Sequence, residues 1–207
     1  MDFIALILGY LFGSIPTARI VARVSTGEAE ALGGGNVGTL NTIRQVGLWP
    51  GLVVAFFDIA KGAAAVLAAK YLIGADDVFV LGAGVMAVAG HNWMVWLGFK
   101  GGKGMAAATG AIIAASFAYG HGGIPVYFIT LILFVWALRR NLVLGNAVGL
   151  LALPAITWMA TASWTATLMA GALVGVIVIK YIPDAIADYR RRGWGALGLD
   201  EIKPRKR

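Results

Sequence analysis

The sequence predicts an all-α integral membrane protein, folded as a compact bundle of about seven transmembrane helices with glycine-rich loops on its cytoplasmic side. Of its 207 residues, 59% are hydrophobic and only 13% are charged, well below the roughly 25% charge of a soluble domain. Apolar runs fill most of the chain, and nearly all Lys and Arg fall in alternate loops. Such a chain cannot cover a water-facing surface, which excludes a large soluble catalytic domain.

Seven apolar windows are candidates for crossing the bilayer. They are Phe3–Val24, Gly51–Ile73, Val78–Leu97, Met105–Ala118, Ile124–Leu138, Leu142–Ala160 and Trp164–Ile182. The fourth and fifth are shorter than the about 20 residues that a hydrocarbon core about 30 Å thick requires. Either one of these two spans is therefore re-entrant, or both are extended by flanking residues.

Basic residues mark one side of the membrane. The loops at 76–77, 119–123 and 161–163 contain no Lys or Arg. The alternate loops hold almost all of them: Arg19, Arg23, Arg44, Lys100, Lys103, Arg139, Arg140 and the tail from Lys180 onward. The positive-inside rule then places the amino terminus outside and the carboxyl terminus in the cytoplasm, in the cell (inner or plasma) membrane. Topology thus accounts for the net charge of +7, which does not indicate a nucleic-acid partner.

The chain divides into a transmembrane bundle that carries the site, residues 1–182, and a basic cytoplasmic tail, residues 183–207. The tail combines apolar residues with Arg190, Arg191 and Arg192, a pattern typical of a helix lying on anionic lipid. Asp2 precedes the first apolar run and arginines follow it, the reverse of a cleavable signal, so we expect this span to be retained. The 29 glycines favour close packing of the helices.

Several chemistries are excluded or not expected. Cysteine is absent and there are only two histidines, His91 and His121, so disulfides and cysteine nucleophiles are excluded, and we expect no metal site and no cofactor. Asp58 and Lys61 lie on one helix face of the second span. We expect them to form a neutralised structural pair rather than a functional site.

The first glycine-rich loop on the basic side reads GGGNVGTLN over Gly33–Asn41 and is followed on the same loop by Arg44. Consecutive glycines let several backbone N–H groups face one anion, and a guanidinium matches phosphate with two parallel hydrogen bonds. A flexible turn is the alternative, but a turn requires neither three glycines nor two asparagines. The pattern therefore favours an anion site.

The second loop begins after Gly90-His91-Asn92 and ends in FKGGKG at the start of the fourth span. A Gly-Gly-Lys-Gly run at a helix start combines free N–H groups, the positive end of the helix dipole and an ammonium, which predicts a phosphate site. It lacks the spacer and the Ser/Thr of a Walker A loop, so nucleotide hydrolysis is not expected. Membrane anchoring would explain Lys100 and Lys103 but not the glycines. His91 and Asn92 fit cross-helix hydrogen bonding as well as catalysis.

Together these motifs resemble the bacterial membrane glycerol-3-phosphate acyltransferases that use acyl phosphate as donor. The resemblance rests on Gly13-Ser14-Ile15-Pro16, GGGNVGTLN with Arg44, the Asp58/Lys61 pair, GHN and FKGGKG, and covers about the first 110 residues. It implies a seven-span enzyme with a cytoplasmic-facing site. The enzyme would move a fatty acyl group from acyl phosphate to glycerol 3-phosphate, giving lysophosphatidic acid and phosphate, and the bilayer would receive the acyl chain.

Acyl phosphate is already activated, so this reaction needs alignment and charge neutralisation rather than a covalent acyl-enzyme. In this hypothesis Arg44 and Lys103 clamp phosphates, Asn36 orients the acceptor, and His91 or a phosphate oxygen takes the proton. Binding of the substrate phosphates is assigned to Gly33, Gly34, Gly35, Gly38, Asn41, Asn92, Lys100, Gly101, Gly102, Gly104 and Arg140.

The chain also departs from the family pattern. Gly34 stands where the family has a serine, Val143 stands at the serine of the turn after Arg140, and Tyr181 and Asp184 replace a His and an Asn. These differences leave open a non-catalytic relative that binds a phosphate-bearing lipid or metabolite. A small transporter is a further alternative, opposed by the absence of internal repeats. The sequence leaves the acyl-chain preference and the oligomeric state open.

Overall fold

The computed structural model describes residues 2–28, 32–33 and 37–192, apart from the side chains of Asp188, Arg191 and Arg192. Within these residues the α-helices are α1 (Phe3–Gly13), α2 (Thr17–Thr26), α3 (Thr39–Gln45), α4 (Leu48–Leu67), α5 (Asp77–Asn92), α6 (Met105–Ala118), α7 (Gly123–Arg139), α8 (Leu142–Thr161) and α9 (Trp164–Arg192). A π-helical segment, Ala68–Ile73, extends α4, and a 3₁₀ turn, Val95–Leu97, follows α5.

Each of the seven apolar windows coincides with a helix or a pair of helices, which confirms the prediction of an all-α membrane bundle. Five segments of the described chain are long and apolar enough to span a membrane: Phe3–Thr26, Leu48–Ile73, Asp77–Leu97, Leu142–Thr161 and Trp164–Ala187. The two remaining apolar helices, α6 and α7, are shorter. α6 has the predicted bounds, and α7 extends the predicted fifth span by one residue at each end.

The first predicted span, Phe3–Val24, is present but is divided into two helices, because the chain leaves the helix at Ser14–Pro16. Pro16 has no N–H to donate, and its ring disfavours a helical conformation in the residue before it. The carbonyl of Ile15 is therefore outside the helical ladder and accepts a hydrogen bond from Lys61 Nζ at 3.1 Å. The break between α1 and α2 thus supplies a polar contact to α4.

Glycines bring neighbouring helices into backbone contact. A Cβ on Gly9 or Gly13 of α1 would overlap a carbonyl oxygen of α5, and a Cβ on Gly62 or Gly110 would do the same between α4 and α6. In lipid, helix association depends on such close packing. The predicted role of the small residues is confirmed at these two interfaces.

The two glycine-rich loops lie at the same end of the bundle. We call this end, where α5 finishes at Asn92 and α6 begins, the site end. α1 and α5 run parallel, with Phe3 and Phe79 in edge-to-face contact, their ring centroids 5.0 Å apart, at the opposite end. Asn92 Nδ2 donates to the carbonyl of Val176 at 3.2 Å. This contact brings the later part of α9 to the site end.

α9 continues past residue 182 to Arg192, with Pro183 inside it. The bundle and the start of the predicted tail therefore share one helix. Residues 193–207 lie outside the described residues, and the interfacial position of the tail stays a prediction.

Candidate active site

The second loop, residues 93–104, is folded against the end of α5. The N–H of Gly102 donates to the carbonyl of His91 at 3.0 Å. A Cβ on Gly101 would overlap the backbone carbonyl of His91, and a Cβ on Gly102 would overlap Nε2 of its imidazole. Close approach to His91 therefore requires glycine at both positions, and the loop holds Nε2 facing Gly102.

α6 begins at this loop with free backbone donors. Gly104 is its N-cap, at a φ of +81°, a left-handed conformation that glycine adopts without strain. No side chain that the structure describes caps the helix, and N–H groups in a first helical turn have no acceptor within the helix. Across the described residues, the N–H groups of Gly101 and Gly104 also have no backbone acceptor, whereas the N–H of Gly102 is engaged. An anion at the start of α6 would meet these donors and the positive end of the helix dipole.

A buried polar cluster lies beneath His91. Asp58 Oδ1 is 2.8 Å from Lys61 Nζ and accepts a hydrogen bond from Thr17 Oγ1 at 2.5 Å. This confirms the predicted Asp58–Lys61 pair. His91 Nδ1 lies 3.5 Å from the same oxygen, without a hydrogen bond. Sequence reasoning missed Thr17 and the approach of His91 to Asp58, because these contacts cross between helices.

The side chain of Asn92 is fully buried, and its two polar atoms differ in their use. Nδ2 donates to Val176 of α9, while Oδ1 has no partner among the described residues and lies on the side of Gly104. Lys180 Nζ donates to the backbone carbonyl of Asn92 at 2.6 Å. The amide donor assigned to phosphate is thus engaged, and the remaining acceptor is suited to a hydroxyl.

Lys103 and Lys100 have different surroundings. Lys103 Nζ is 2.8 Å from Asp184 Oδ2, with side chains 30% and 62% exposed, and 4.5 Å from the ring centroid of Tyr181. Lys100 is exposed, and its ammonium forms no ion pair with any residue described. Sequence reasoning treated Tyr181 and Asp184 as lost family positions. Their spacing of three on one helix is the signal that indicates a shared face.

The structure describes the first loop in part. Gly34, Gly35 and Asn36 lie outside the described residues, so their predicted roles stay predictions. Gly33 has a φ of +67°.

The rest of the first motif is helical rather than a loop. Gly38 is the N-cap of α3, and Asn41 and Arg44 lie within this helix. Asn41 Nδ2 donates to the carbonyl of Leu32 at 2.9 Å, so this amide fastens the preceding segment. Arg44, in the last turn, is exposed and is the side chain of α3 best able to bind an anion.

A shared apolar cluster places the two loops at the same end of the bundle. Leu97 of the second loop packs against the buried cluster that includes Leu32, Val37 and Val54. Arg140 is also exposed near this end, with its guanidinium 5.9 Å from the ring of Trp136. In the described part of the chain, Arg140 therefore contacts Trp136 and is not brought together with the other candidate site residues.

A cavity of about 340 Å³ lies at the opposite end, between α5, α6, α8 and α9. Asp77, Tyr119 and His121 line it together with apolar residues, and none of the candidate site residues does. Tyr119 donates a hydrogen bond to Asp77 at 2.6 Å, and burial together with this bond raises the pKa of Tyr119. Over the described residues, no group of three or more acidic or histidine side chains is arranged to hold a metal ion.

Comparisons with known proteins point to one family. The family model for glycerol-3-phosphate acyltransferase matches residues 3–187. Glycerol-3-phosphate acyltransferase 1 of Dehalococcoides mccartyi is 42% identical over 184 residues, covering 87% of each chain. A glycerol-3-phosphate acyltransferase of Thermus thermophilus is 47% identical over 108 residues, 52% of this chain and 54% of the relative.

A solved structure is similar over most of its length. The crystal structure of PlsY, an integral membrane glycerol 3-phosphate acyltransferase, in its glycerol 3-phosphate form, superposes with a TM-score of 0.76 at 27% identity, covering 88% of this chain and 89% of PlsY. The lysophosphatidic acid form of PlsY gives the same values. With the helical bundle and the glycine loops described above, these matches show that the chain is a multi-pass integral membrane protein belonging to the glycerol-3-phosphate acyltransferase family.

Proposed function

We propose that this protein transfers a fatty acyl group from acyl phosphate to glycerol 3-phosphate at the site end, making lysophosphatidic acid and releasing phosphate. Family membership carries the glycerol-3-phosphate acyltransferase activity. The observation that supports the donor and the residue roles is the position of Nε2 of His91 against Gly102, the residue before Lys103, at the start of α6. A phosphate there finds an ammonium and free N–H groups, while Nε2 of His91 faces the same loop.

The reaction is a single displacement at the acyl carbonyl. The hydroxyl oxygen of glycerol 3-phosphate bonds to the carbonyl carbon, the bond from that carbon to the phosphate oxygen breaks, and phosphate leaves with the bonding electrons. The hydroxyl proton passes to His91 Nε2 or to a phosphate oxygen. In this scheme Lys103, Arg44 and the N–H groups of Gly101 and Gly104 neutralise the charge that develops on the leaving group and the substrates.

Asp58 supports a role for His91 by its position. The carboxylate lies on the Nδ1 side of the ring at 3.5 Å, which favours the tautomer with its proton on Nδ1 and leaves Nε2 as an acceptor. Asn36 is proposed to orient the acceptor hydroxyl, as the sequence predicts. Oδ1 of Asn92, which has no partner in the described part of the chain, is a second acceptor close to the start of α6.

The proposed orientation follows from the basic residues at the site end. Arg19, Arg23, Arg44, Lys100, Arg139 and Arg140 are all exposed at or near this end. The positive-inside rule then places the site end at the cytoplasmic face of the plasma membrane. Soluble glycerol 3-phosphate would reach the site from that side, and the acyl chain would remain in the bilayer.

The test is an assay of the purified protein in detergent with palmitoyl phosphate and radiolabelled glycerol 3-phosphate. We expect labelled lysophosphatidic acid, with no product when palmitoyl coenzyme A replaces palmitoyl phosphate. Product formed only from the coenzyme A thioester would overturn the acyl phosphate donor. No product from either donor, with glycerol 3-phosphate binding retained, would instead favour a non-catalytic binding protein.

A further inference from the structure

The contact of Lys103 with Asp184 has a functional consequence for phosphate binding. We propose that Asp184 is a positioning residue that holds the Lys103 ammonium in the substrate-free site and is displaced from it when a substrate phosphate binds. This inference rests on the proposed function, which places a phosphate at Lys103.

Two contacts from one face of α9 hold Lys103. Asp184 Oδ2 forms an ion pair with Nζ at 2.8 Å, and the ring of Tyr181 lies 4.5 Å from the same atom, within range of a cation–π interaction. Residues three apart on a helix share a face. The ammonium is thus directed at α9, although Lys103 lies between Gly102 and Gly104 of the second loop.

Partly buried contacts fix the position of α9 relative to that loop. Val176 accepts a hydrogen bond from Asn92, and Lys180 donates to the Asn92 backbone at 2.6 Å. Gly104, the N-cap of α6, packs against the Asn92 side chain. Asp184, one helical turn beyond Lys180, is therefore held within reach of Lys103 by the packing of α5 and α9.

A phosphate and the Asp184 carboxylate compete for one ammonium. The carboxylate is 62% exposed, so the ion pair is solvated and weak enough for a phosphate to replace it. Its presence still lowers the apparent affinity, because binding is reduced by the fraction of molecules in which Lys103 is available. Exposed ion pairs of this kind correspond to an affinity change of about two- to fivefold. After displacement the Tyr181 ring remains in place to limit the movement of Lys103.

Steady-state kinetics of Asp184→Asn in detergent test the proposal. We expect the KM for one phosphate substrate to fall about two- to fivefold, with kcat within twofold of wild type. A fall in the KM for palmitoyl phosphate assigns Lys103 to the donor, and a fall in the KM for glycerol 3-phosphate assigns it to the acceptor. Asp184→Glu retains the carboxylate and should keep the wild-type KM values. Asp76→Asn removes an exposed carboxylate at the opposite end and is the matched control.

Combining Asp184→Asn with Lys103→Ala gives the second readout. If Asp184 acts through Lys103, Asp184→Asn should leave KM unchanged in the Lys103→Ala background. Unchanged or raised KM values for both substrates in the single variant would overturn the proposal. The same KM decrease with and without Lys103 would also overturn it, since the carboxylate would then act by general repulsion.

Binding of inorganic phosphate separates this inference from the proposed function. Isothermal titration calorimetry should give a Kd for phosphate about two- to fivefold lower in Asp184→Asn than in wild type. If the wild type makes no lysophosphatidic acid but the variant binds phosphate more tightly, the enzyme proposal fails and the role of Asp184 stands. If the wild type turns over and neither KM nor Kd changes in the variant, the role of Asp184 fails alone.

Discussion

Gly102 is the residue whose missing side chain matters most to the site. Its Cα lies against Nε2 of His91, where an added Cβ would overlap the ring. Gly102→Ala should displace either the imidazole or the second loop. Misplacement of a site group by about 1 Å costs about 100-fold in rate. We expect a loss of kcat/KM of this order in the lysophosphatidic acid assay. Gly171→Ala, at a glycine with open space around it, is the control and should retain wild-type activity; equal activity of both variants would contradict the proposed geometry.

The two lysines of the second loop should differ in their contribution to turnover. Lys103→Ala removes the ammonium that we place on a transferring phosphate, so kcat/KM should fall about 100-fold, or about 3 kcal/mol. Lys100 is exposed, and Lys100→Ala should cost far less. Comparison of kcat/KM for the two variants checks this difference. Equally small losses would assign both lysines to membrane anchoring.

The interface between α4 and α6 depends on backbone contact at the element scale. A Cβ on Gly110 would overlap the carbonyl oxygen of Ile59, and neither backbone can move without separating the helices. Gly110→Ala should therefore lower the free energy of unfolding by about 1 to 3 kcal/mol. Thermal unfolding in detergent measures this change. Gly171→Ala, which adds the same methyl group to α9 without a clash, should leave the melting temperature unchanged or slightly higher, and a matching fall in both variants would contradict the packing argument.

Burial of a helix face explains why the first motif differs from its sequence-based prediction. The run of glycines suggests an open loop that includes Arg44, yet Gly38 caps a short helix that contains Asn41 and Arg44. Thr42 is fully buried in this helix, and its N–H donates to the Gly38 carbonyl at 3.0 Å. Burial of one helix face, which the local glycine content does not reveal, selects helix over loop here.

Whole-molecule topology is the assumption on which a shared site depends. The chain has no cysteine, so single cysteines can be introduced and labelled with a membrane-impermeant maleimide. Cysteine at Arg44, Lys100 or Arg139 should react from the cytoplasmic side, and cysteine at Asp76 or Thr165 from the outside. Labelling of spheroplasts and of inside-out vesicles measures the two accessibilities. Reaction of Arg44→Cys and Lys100→Cys from opposite sides would rule out one site formed by both loops.

The sequence alone determined the class of the molecule and the residues that mark its functional end. Hydrophobicity in bilayer-length runs specifies membrane helices without tertiary information, because each helix satisfies its own backbone hydrogen bonds. For this reason the bounds of α8, Leu142–Thr161, agree with the predicted Leu142–Ala160 to within one residue. The FKGGKG run likewise predicts free donors at a helix start, since a helix terminus is a local feature.

Tertiary structure decided which side chains meet at that end. Lys180 bonds to Asn92 across 88 positions of the chain, and Lys103 pairs with Asp184, although Asp184 in the sequence appears only as a departure from the family pattern. The same holds for Thr17 and His91 around Asp58. Such contacts depend on the rotation and depth of each helix against its neighbours. Packing between helices fixes these two quantities, and the apolar pattern along a single helix does not encode them.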